Sequence, residues 1–313
     1  MINVSQVFIG VDVSKSSLDI FIHPLGISLK MDNSEKAVIK FIEQLAFYQV
    51  KQIACEATGG YEKLLMNLLK KHSYDCWVVD PRRIKGFIIA TGCRTKTDKI
   101  DAKKIAEFAS KNTPDYEAIN KTPHEEILQA LVNRKADLTQ YLASEKVRLK
   151  HPSHKISIAS IKKFIATLQK EIKKIDNQIS EHIRKDSMLD KKVKLLESIP
   201  GIGKATAALL VSFVPELGHL SNNKITALIG VCPYNRESGT YKGKSFIRGG
   251  RAIPRNALYM CALTTIKYHL PLKEFYDRLI ANKKPFKVAI VAVMRKLIII
   301  ANVILKKGEL CRA

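Results

Sequence analysis

Asp12, Glu56, Asp98 and Asp101 are the residues whose types and settings point to chemistry. Asp12 follows Val7-Phe8-Ile9-Gly10-Val11, an apolar run that reads as a buried strand. Glu56 closes a second short run, Gln52-Ile53-Ala54-Cys55. Asp98 and Asp101 lie three apart where a helix begins, so they share one of its faces. A carboxylate at the end of a buried strand costs free energy unless it is paired, reaches solvent or binds a cation. Four of them gathered together would repel one another and take up protons unless cations sat between them. Mg²⁺ prefers oxygen ligands and keeps some of its waters. Two such ions about 3.5–4 Å apart can stabilise both the attacking and the leaving oxygen of a phosphodiester. Three other acids fit less well: Asp19 on a second strand, Glu62 in a helix and Asp80 before a proline, with Asp80 the substitute if one assignment fails. Taken alone, Asp12 reads equally well as a turn cap or a solvent-facing strand end.

The elements that must position these acids follow from the patterning. Leu18, Ile20 and Ile22 alternate with polar residues, Pro24-Leu25-Gly26 signals a turn, and residues 27–31 pair back, giving a meander of three antiparallel strands. Ser34 reads as an N-cap, and Ala37, Val38, Phe41, Ile42, Leu45 and Ala46 follow at helical spacing. A strand over 52–56, a helix over 61–72, a strand over 75–79 closed by Asp80-Pro81, and a helix over 100–110 after a Lys- and Thr-rich loop complete the region. Three strands, helix, strand, helix, strand, helix is the order of a ribonuclease-H-like α/β domain. Its first strand is central and its fourth runs parallel beside it, so acids ending those two strands lie side by side.

From about 122 to 190 glycine disappears. Apolar residues keep helical spacing on either side of His151-Pro152-Ser153-His154, which predicts two long helices in a hairpin or coiled coil. An ordinary helical bundle without a partner is the plainer alternative. The last third opens with Ile199-Pro200-Gly201-Ile202-Gly203-Lys204, a glycine turn between two helices of helix-hairpin-helix type. Backbone N–H groups at the second helix's start can bind a phosphate there without reading sequence. Residues 231–255 are rich in Gly, Arg and Lys and poor in periodicity, and apolar helices are expected over 256–269, 272–281 and 286–305.

The chain of 313 residues carries 53 Lys and Arg against 29 Asp and Glu, a net charge of +24. Residues 191–313 hold 22 basic and 6 acidic groups, so +16 of that charge lies there. Such a balance points to a polyanion, most simply nucleic acid, and less well to an anionic membrane surface. The six cysteines are scattered with no C-x-x-C pair, which argues against zinc and for small core residues in a reducing compartment. The apolar stretch 288–305 is broken by Arg295, Lys296 and Asn302 and reads as a buried helix, not a membrane span. Met1-Ile2-Asn3 shows no signal-peptide pattern, so a cytoplasmic, nucleoid-associated protein is expected.

Gly10-Val11-Asp12-Val13-Ser14-Lys15, Cys55-Glu56-Ala57-Thr58-Gly59-Gly60-Tyr61 and Lys96-Thr97-Asp98-Lys99-Ile100-Asp101-Ala102 resemble the three blocks of the DEDD transposases, the insertion-sequence one-ten family with its Piv/MooV-like branch. Ile199-Pro200-Gly201-Ile202-Gly203, Gly230-Val231-Cys232-Pro233, Glu237-Ser238-Gly239-Thr240, Arg248-Gly249-Gly250 and Arg255-Asn256-Ala257-Leu258 resemble its C-terminal transposase domain. The resemblance implies a RuvC-like N-terminal domain whose Asp12, Glu56, Asp98 and Asp101 bind Mg²⁺, two ions by the chemistry above. It also implies a nucleophilic serine, which maps to Ser238, and a structured bridge RNA pairing with donor and target DNA. By itself Ser238-Gly239 reads as a turn; Ser221 and Ser245 are the alternative nucleophiles.

A hydroxyl needs a base or a metal to attack phosphorus at neutral pH. Arg236, Lys242, Lys244, Arg248 and Arg251 can position a backbone phosphate beside it. Gly201, Gly203, Lys204 and Arg255 complete the expected nucleic-acid contacts. The expected division is 1–118 catalytic, 119–190 helical and dimerising, and 191–313 transposase domain. The expected function is Mg²⁺-dependent DNA strand exchange through a covalent serine link, as a homodimer or homotetramer, without ATP, since no Walker-type loop is seen. The rivals are a RuvC-like endonuclease using metal-activated water and a non-enzymatic DNA-binding protein.

Overall fold

The computed structural model describes residues 6–92, 98–114, 122–151, 154–235, 237–238, 241–243 and 245–311, with backbone alone at 98–100, 237–238 and 241–242. It divides into two compact units, Met1–Ala118 and Ile119–Ala313.

The first unit is a five-stranded mixed sheet in the order β3-β2-β1-β4-β5. Its strands are β1 (Gln6–Val13), β2 (Ser17–His23), β3 (Ile27–Asp32), β4 (Gln49–Glu56) and β5 (Cys76–Val79). The first three form the antiparallel meander, and β4 and β5 run parallel to β1. Side chains alternate between faces. Val7, Ile9, Val11, Val13, Leu18, Ile20, Ile22, Ile53 and Cys55 therefore form one apolar layer. It is covered by Val38, Phe41, Ile42 and Leu45 of α1 (Glu35–Leu45) and by Leu65, Leu68 and Leu69 of α2 (Lys63–Lys71). Ser34 caps α1 by accepting from the Ala37 N–H, as its sequence position predicts.

The opposite face of the sheet is covered by α4 (Asp98–Lys111) and α3 (Pro81–Ala90). Helix α3 was not expected. Asp80-Pro81 looked like the end of a strand, but Asp80 accepts from the Arg82 N–H as an N-cap and Pro81 is the first helical residue. This is the arrangement in which a proline's missing N–H is harmless.

In the second unit α5 (Pro123–Arg148) and α6 (Lys155–Lys185) form an antiparallel hairpin. Lys135 pairs with Asp176 at 2.5 Å, and His182 bonds the His124 carbonyl at 2.9 Å. Thr122 and Glu125 form a capping box at the start of α5, and buried Glu125 also accepts from Lys192 at 2.7 Å. Helix α7 (Ser187–Glu197) and α8 (Lys204–Phe213) flank the glycine turn. Helix α9 (Asn222–Ile229), also unexpected, is capped by the Ser221 hydroxyl, which accepts from the Lys224 N–H. That cap role suits Ser221 poorly to nucleophilic attack.

Helices α10 (Ala252–Tyr268), α11 (Leu270–Ala281) and α12 (Phe286–Lys307) close the unit. Helix α12 is long and apolar enough to cross a membrane, but it is packed as a core helix. Ala289, Ile290, Val293, Met294, Leu297, Ile298, Ala301 and Ile304 are buried. Its one buried amide, Asn302, accepts from the Gly218 N–H and donates to the Leu220 carbonyl and to Asn222 Oδ1. Every polar atom of that side chain is thus satisfied inside the unit.

Candidate active site

Val11 pairs with Cys55 across the parallel β1–β4 ladder, and both face the α1–α2 layer. Asp12 and Glu56, one residue further along each strand, therefore point together to the other face, on strands about 4.8 Å apart. Phe21, which packs with Ala102 and Ala106 of α4, and Val79, which faces Glu56 across the β4–β5 ladder, belong to that same face.

The approach of α4 is set by Gly10. A Cβ there would overlap the Ala102 carbonyl oxygen and the Ala106 amide nitrogen, so the helix backbone lies directly on β1 two residues before Asp12. Asp101 is the neighbour of Ala102, and Asp98 is the first residue of α4. Asp12, Glu56 and Asp101 are half-buried, and each has an interaction partner. The Asp98 side chain lies outside the described residues. Among the described residues no three His, Cys, Asp or Glu side chains gather closely enough to hold a metal ion. The donor chemistry nonetheless fits a hard divalent cation, because Asp12 and Glu56 offer carboxylate oxygens alone from one face of a rigid sheet.

One acid set aside on sequence belongs to this face. Asp19 pairs directly with Asp12 across the antiparallel β1–β2 ladder, so the two carboxylates stand opposite each other. Asp19 is 6% exposed and accepts from Lys30 Nζ at 3.0 Å, its partner in the next ladder. The face thus carries Lys30, Asp19, Asp12 and Glu56 in a row across four strands. Like charges directly opposite destabilise a sheet, and Lys30 offsets one of them. A meander closed tightly at Ser14–Ser17, where Ser14 N–H donates to the Ser17 carbonyl, brings residue 19 back beside residue 12, a register that the sequence pattern does not state.

The other two acids are engaged locally. Glu62 accepts from the Thr58 hydroxyl at 2.5 Å and from the Gly60 N–H at 2.8 Å, closing the turn after β4. Burial works to raise its pKa, but these bonds outweigh it and hold the carboxyl below its usual range. Asp80 is held low chiefly by its bond with the Arg82 side chain, against some burial.

In the second unit Ser238 lies on a short antiparallel arm. β6 (Pro233–Tyr234) pairs with β9 (Phe246–Ile247), and β7 (Glu237–Ser238) pairs with β8 (Tyr241–Lys242), Ser238 facing Tyr241. Arg236 and Lys244 lie outside the described residues, as do the side chains of Ser238 and Lys242. Ser245 donates to Asn235 Oδ1 at 2.8 Å across the arm.

The arm is tied at its base. Gly230 ends α9 in the left-handed region, and a Cβ there would overlap the Gly249 carbonyl oxygen, so the two backbones cross in contact. Arg255 donates to that same Gly249 carbonyl, and Arg251 makes a two-pronged bond to buried Glu216, both at 2.7 Å, as well as donating to the Phe213 carbonyl. These two guanidinium groups brace the arm's root. Arg248, by contrast, is exposed and lies over the ring of Tyr234, 5.5 Å from its centroid.

The glycine turn is fixed from below. Gly201, at φ +97°, has no room for a Cβ beside the Thr265 hydroxyl, which donates to the Pro200 carbonyl. Gly203 and Lys204 are exposed, with open space around Gly203.

Two transposase families match the chain, and the first match runs past Ala118 into the second unit. Residues 9–152 match a DEDD transposase family of the IS110 type, and residues 193–277 match the transposase IS116/IS110/IS902 family. Two proteins described as "Pilin gene-inverting protein", from Moraxella lacunata and Moraxella bovis, are each 27% identical over 318 residues, covering 97% of this chain and 97% of theirs. The family is generally dependent on divalent metal and acts on DNA. The chain belongs to the IS110 family of transposases and is a transposase or recombinase enzyme.

Proposed function

We propose that the protein cuts and rejoins DNA through a covalent serine link, with Mg²⁺ held by Asp12, Glu56, Asp98 and Asp101. The observation that carries this reading is the shared face of Asp12 and Glu56 on adjacent parallel strands, under a helix that begins with Asp98 and Asp101. The sheet order, with β1 central and β4 parallel beside it, supports a ribonuclease-H-like, RuvC-like assignment. Bound there, the cations would stabilise the charge that develops on a transferring phosphate.

Ser238 then supplies the nucleophile. Its Oγ–phosphorus bond forms as the bond from phosphorus to the 3′ oxygen breaks. The serine proton passes to a base, and the 3′ oxygen leaves as a hydroxyl. The resulting 5′-phosphoserine conserves the phosphodiester, so rejoining to a second DNA end needs no ATP. Gly203 and Lys204 at the start of α8 hold a backbone phosphate in helix-hairpin-helix fashion. The α5–α6 hairpin joins copies as a coiled coil in a dimer or tetramer, and a bridge RNA pairs with donor and target. The kinship with gene-inverting proteins supports inversion as an outcome beside transposition. The place of action is the bacterial-type cytoplasm, at the nucleoid.

The test is incubation with end-labelled donor DNA, Mg²⁺ and candidate flanking RNA, read on a denaturing gel. A protein–DNA adduct that Ser238→Ala abolishes while divalent-cation binding survives supports the reading. Cleavage that persists in Ser238→Ala makes the protein a hydrolytic endonuclease instead, and full function in Asp12→Asn would leave only a DNA-binding role.

A further inference from the structure

The serine arm carries an aromatic platform that phosphate chemistry does not use. Tyr234 and Phe246 are direct partners across the β6–β9 ladder, so both rings stand on one face. They are 43% and 44% exposed. Arg248, two residues beyond Phe246, belongs to the same face and lies over the Tyr234 ring. Large aromatic groups so exposed lose the burial that normally favours them, and a cation above one makes the patch attractive to an electron-rich, flat, anionic partner. The arm belongs to the more basic part of the chain. A nucleobase on a single strand meets each of these features: a flat ring to stack and a phosphate to pair with the guanidinium.

We propose that Tyr234, Phe246 and Arg248 form a stacking site for an unpaired nucleobase of the DNA strand being cut. Tyr234 precedes Ser238 by four residues in the chain, a span of at most about 14 Å. The site's consequence is that the strand is opened at the cleavage point and held there by a ring–base stack, with no need to read sequence. The inference uses the reading of Ser238 only for the site's place in the reaction; base binding itself does not depend on it.

The test uses the full chain and three fluorescein-labelled probes: a thymidine oligomer, an abasic oligomer of equal length and charge, and a duplex. The parent should bind the thymidine oligomer more tightly than the abasic one. Tyr234→Ala/Phe246→Ala should bind the thymidine oligomer about 5- to 100-fold more weakly, erasing that preference while changing duplex binding little. Tyr234→Trp keeps a ring in place and reports directly: its emission should fall with the thymidine oligomer and not with the abasic one. The proposal is overturned if the double variant retains the parent's affinity for the thymidine oligomer. It is equally overturned if the tryptophan responds alike to both oligomers, if it responds to a uridine oligomer and not to DNA, or if the double variant changes oligomeric state alone. An adduct that forms normally in a double variant lacking the base preference separates this site from the chemistry of Ser238, and an absent adduct with intact stacking does the reverse.

Discussion

The acidic face of the sheet and the basic arm of the helical unit carry opposite charge and are built by opposite means. The acids stand on a five-stranded ladder whose other side is a continuous apolar core, and a helix seated on Gly10 covers them. The arm has rungs of two residues each and no apolar core among its described residues. Its shape is fixed at the root, where Gly230 meets Gly249, Arg255 holds the Gly249 carbonyl and Arg251 grips Glu216. The function proposed above gives this contrast a reason: carboxylates that share a cation need fixed spacing, which a sheet supplies, and a serine nucleophile offered to a large flexible polymer needs reach, which a short ribbon on a braced root supplies.

The largest effect should come from Gly10→Val. The new side chain has only the α4 backbone to displace, so stability should fall by about 3 kcal/mol, with α4 and Asp101 moved off the acidic face. Urea denaturation gives the first effect, and loss of Mn²⁺-induced stabilisation gives the second. An unchanged urea midpoint would show that the sheet face is less rigid than this contrast requires.

Glu216→Ala tests the arm's root. It removes the partner of a part-exposed Arg251 and should destabilise by about 2 kcal/mol, less than a fully buried pair would lose. Hydrogen exchange should quicken over 231–250 and stay unchanged in the sheet. Quickening across both units would erase the distinction between them.

Lys30→Met sharpens the electrostatics of the acidic face. Without its lysine, buried Asp19 stands opposite Asp12 with one positive charge fewer, so the cation-free protein should lose about 1 kcal/mol. Added Mn²⁺ should raise the melting temperature of this variant more than that of the parent, because the face is more negative. A smaller rise would place Lys30 and Asp19 outside the cation's influence.

The smallest effect is in pH. Glu62 and Asp80 both have folded pKa values below their ordinary ones, so the stability they contribute is present above the unfolded values, about 4.3 and 3.9, and is lost as pH falls through the folded ones. The urea midpoint should therefore drop as pH falls below about 4. Glu62→Gln should reduce that drop.

Much of this was written in local pattern. Alternation at Leu18, Ile20 and Ile22, the cap at Ser34, the break at His151-Pro152 and the glycine turn at 201–203 each depend on near neighbours, and the elements appear where those signals stand. Helices α3 and α9 were less legible because each is short and its start coincides with a residue that also signals a turn, Asp80-Pro81 in one case and Ser221 in the other. Asp19 was passed over for a different reason: its meaning lies in which residue it faces, and a strand's own pattern does not state its register.

Arg251 and Arg255 show the same limit. As sequence they are two more cations in a basic stretch; in the fold Arg251 is joined to Glu216, 35 residues away, and Arg255 to the Gly249 carbonyl where that backbone crosses Gly230. The sequence by itself determined the residue types, the helical and strand periods, the charge excess and the kinship, because each is a property of the chain or of a few neighbours. Only the tertiary structure decided which acids share a face and which arginines brace the arm's root, because pairing across strands and burial of a charge are set by contacts between distant segments.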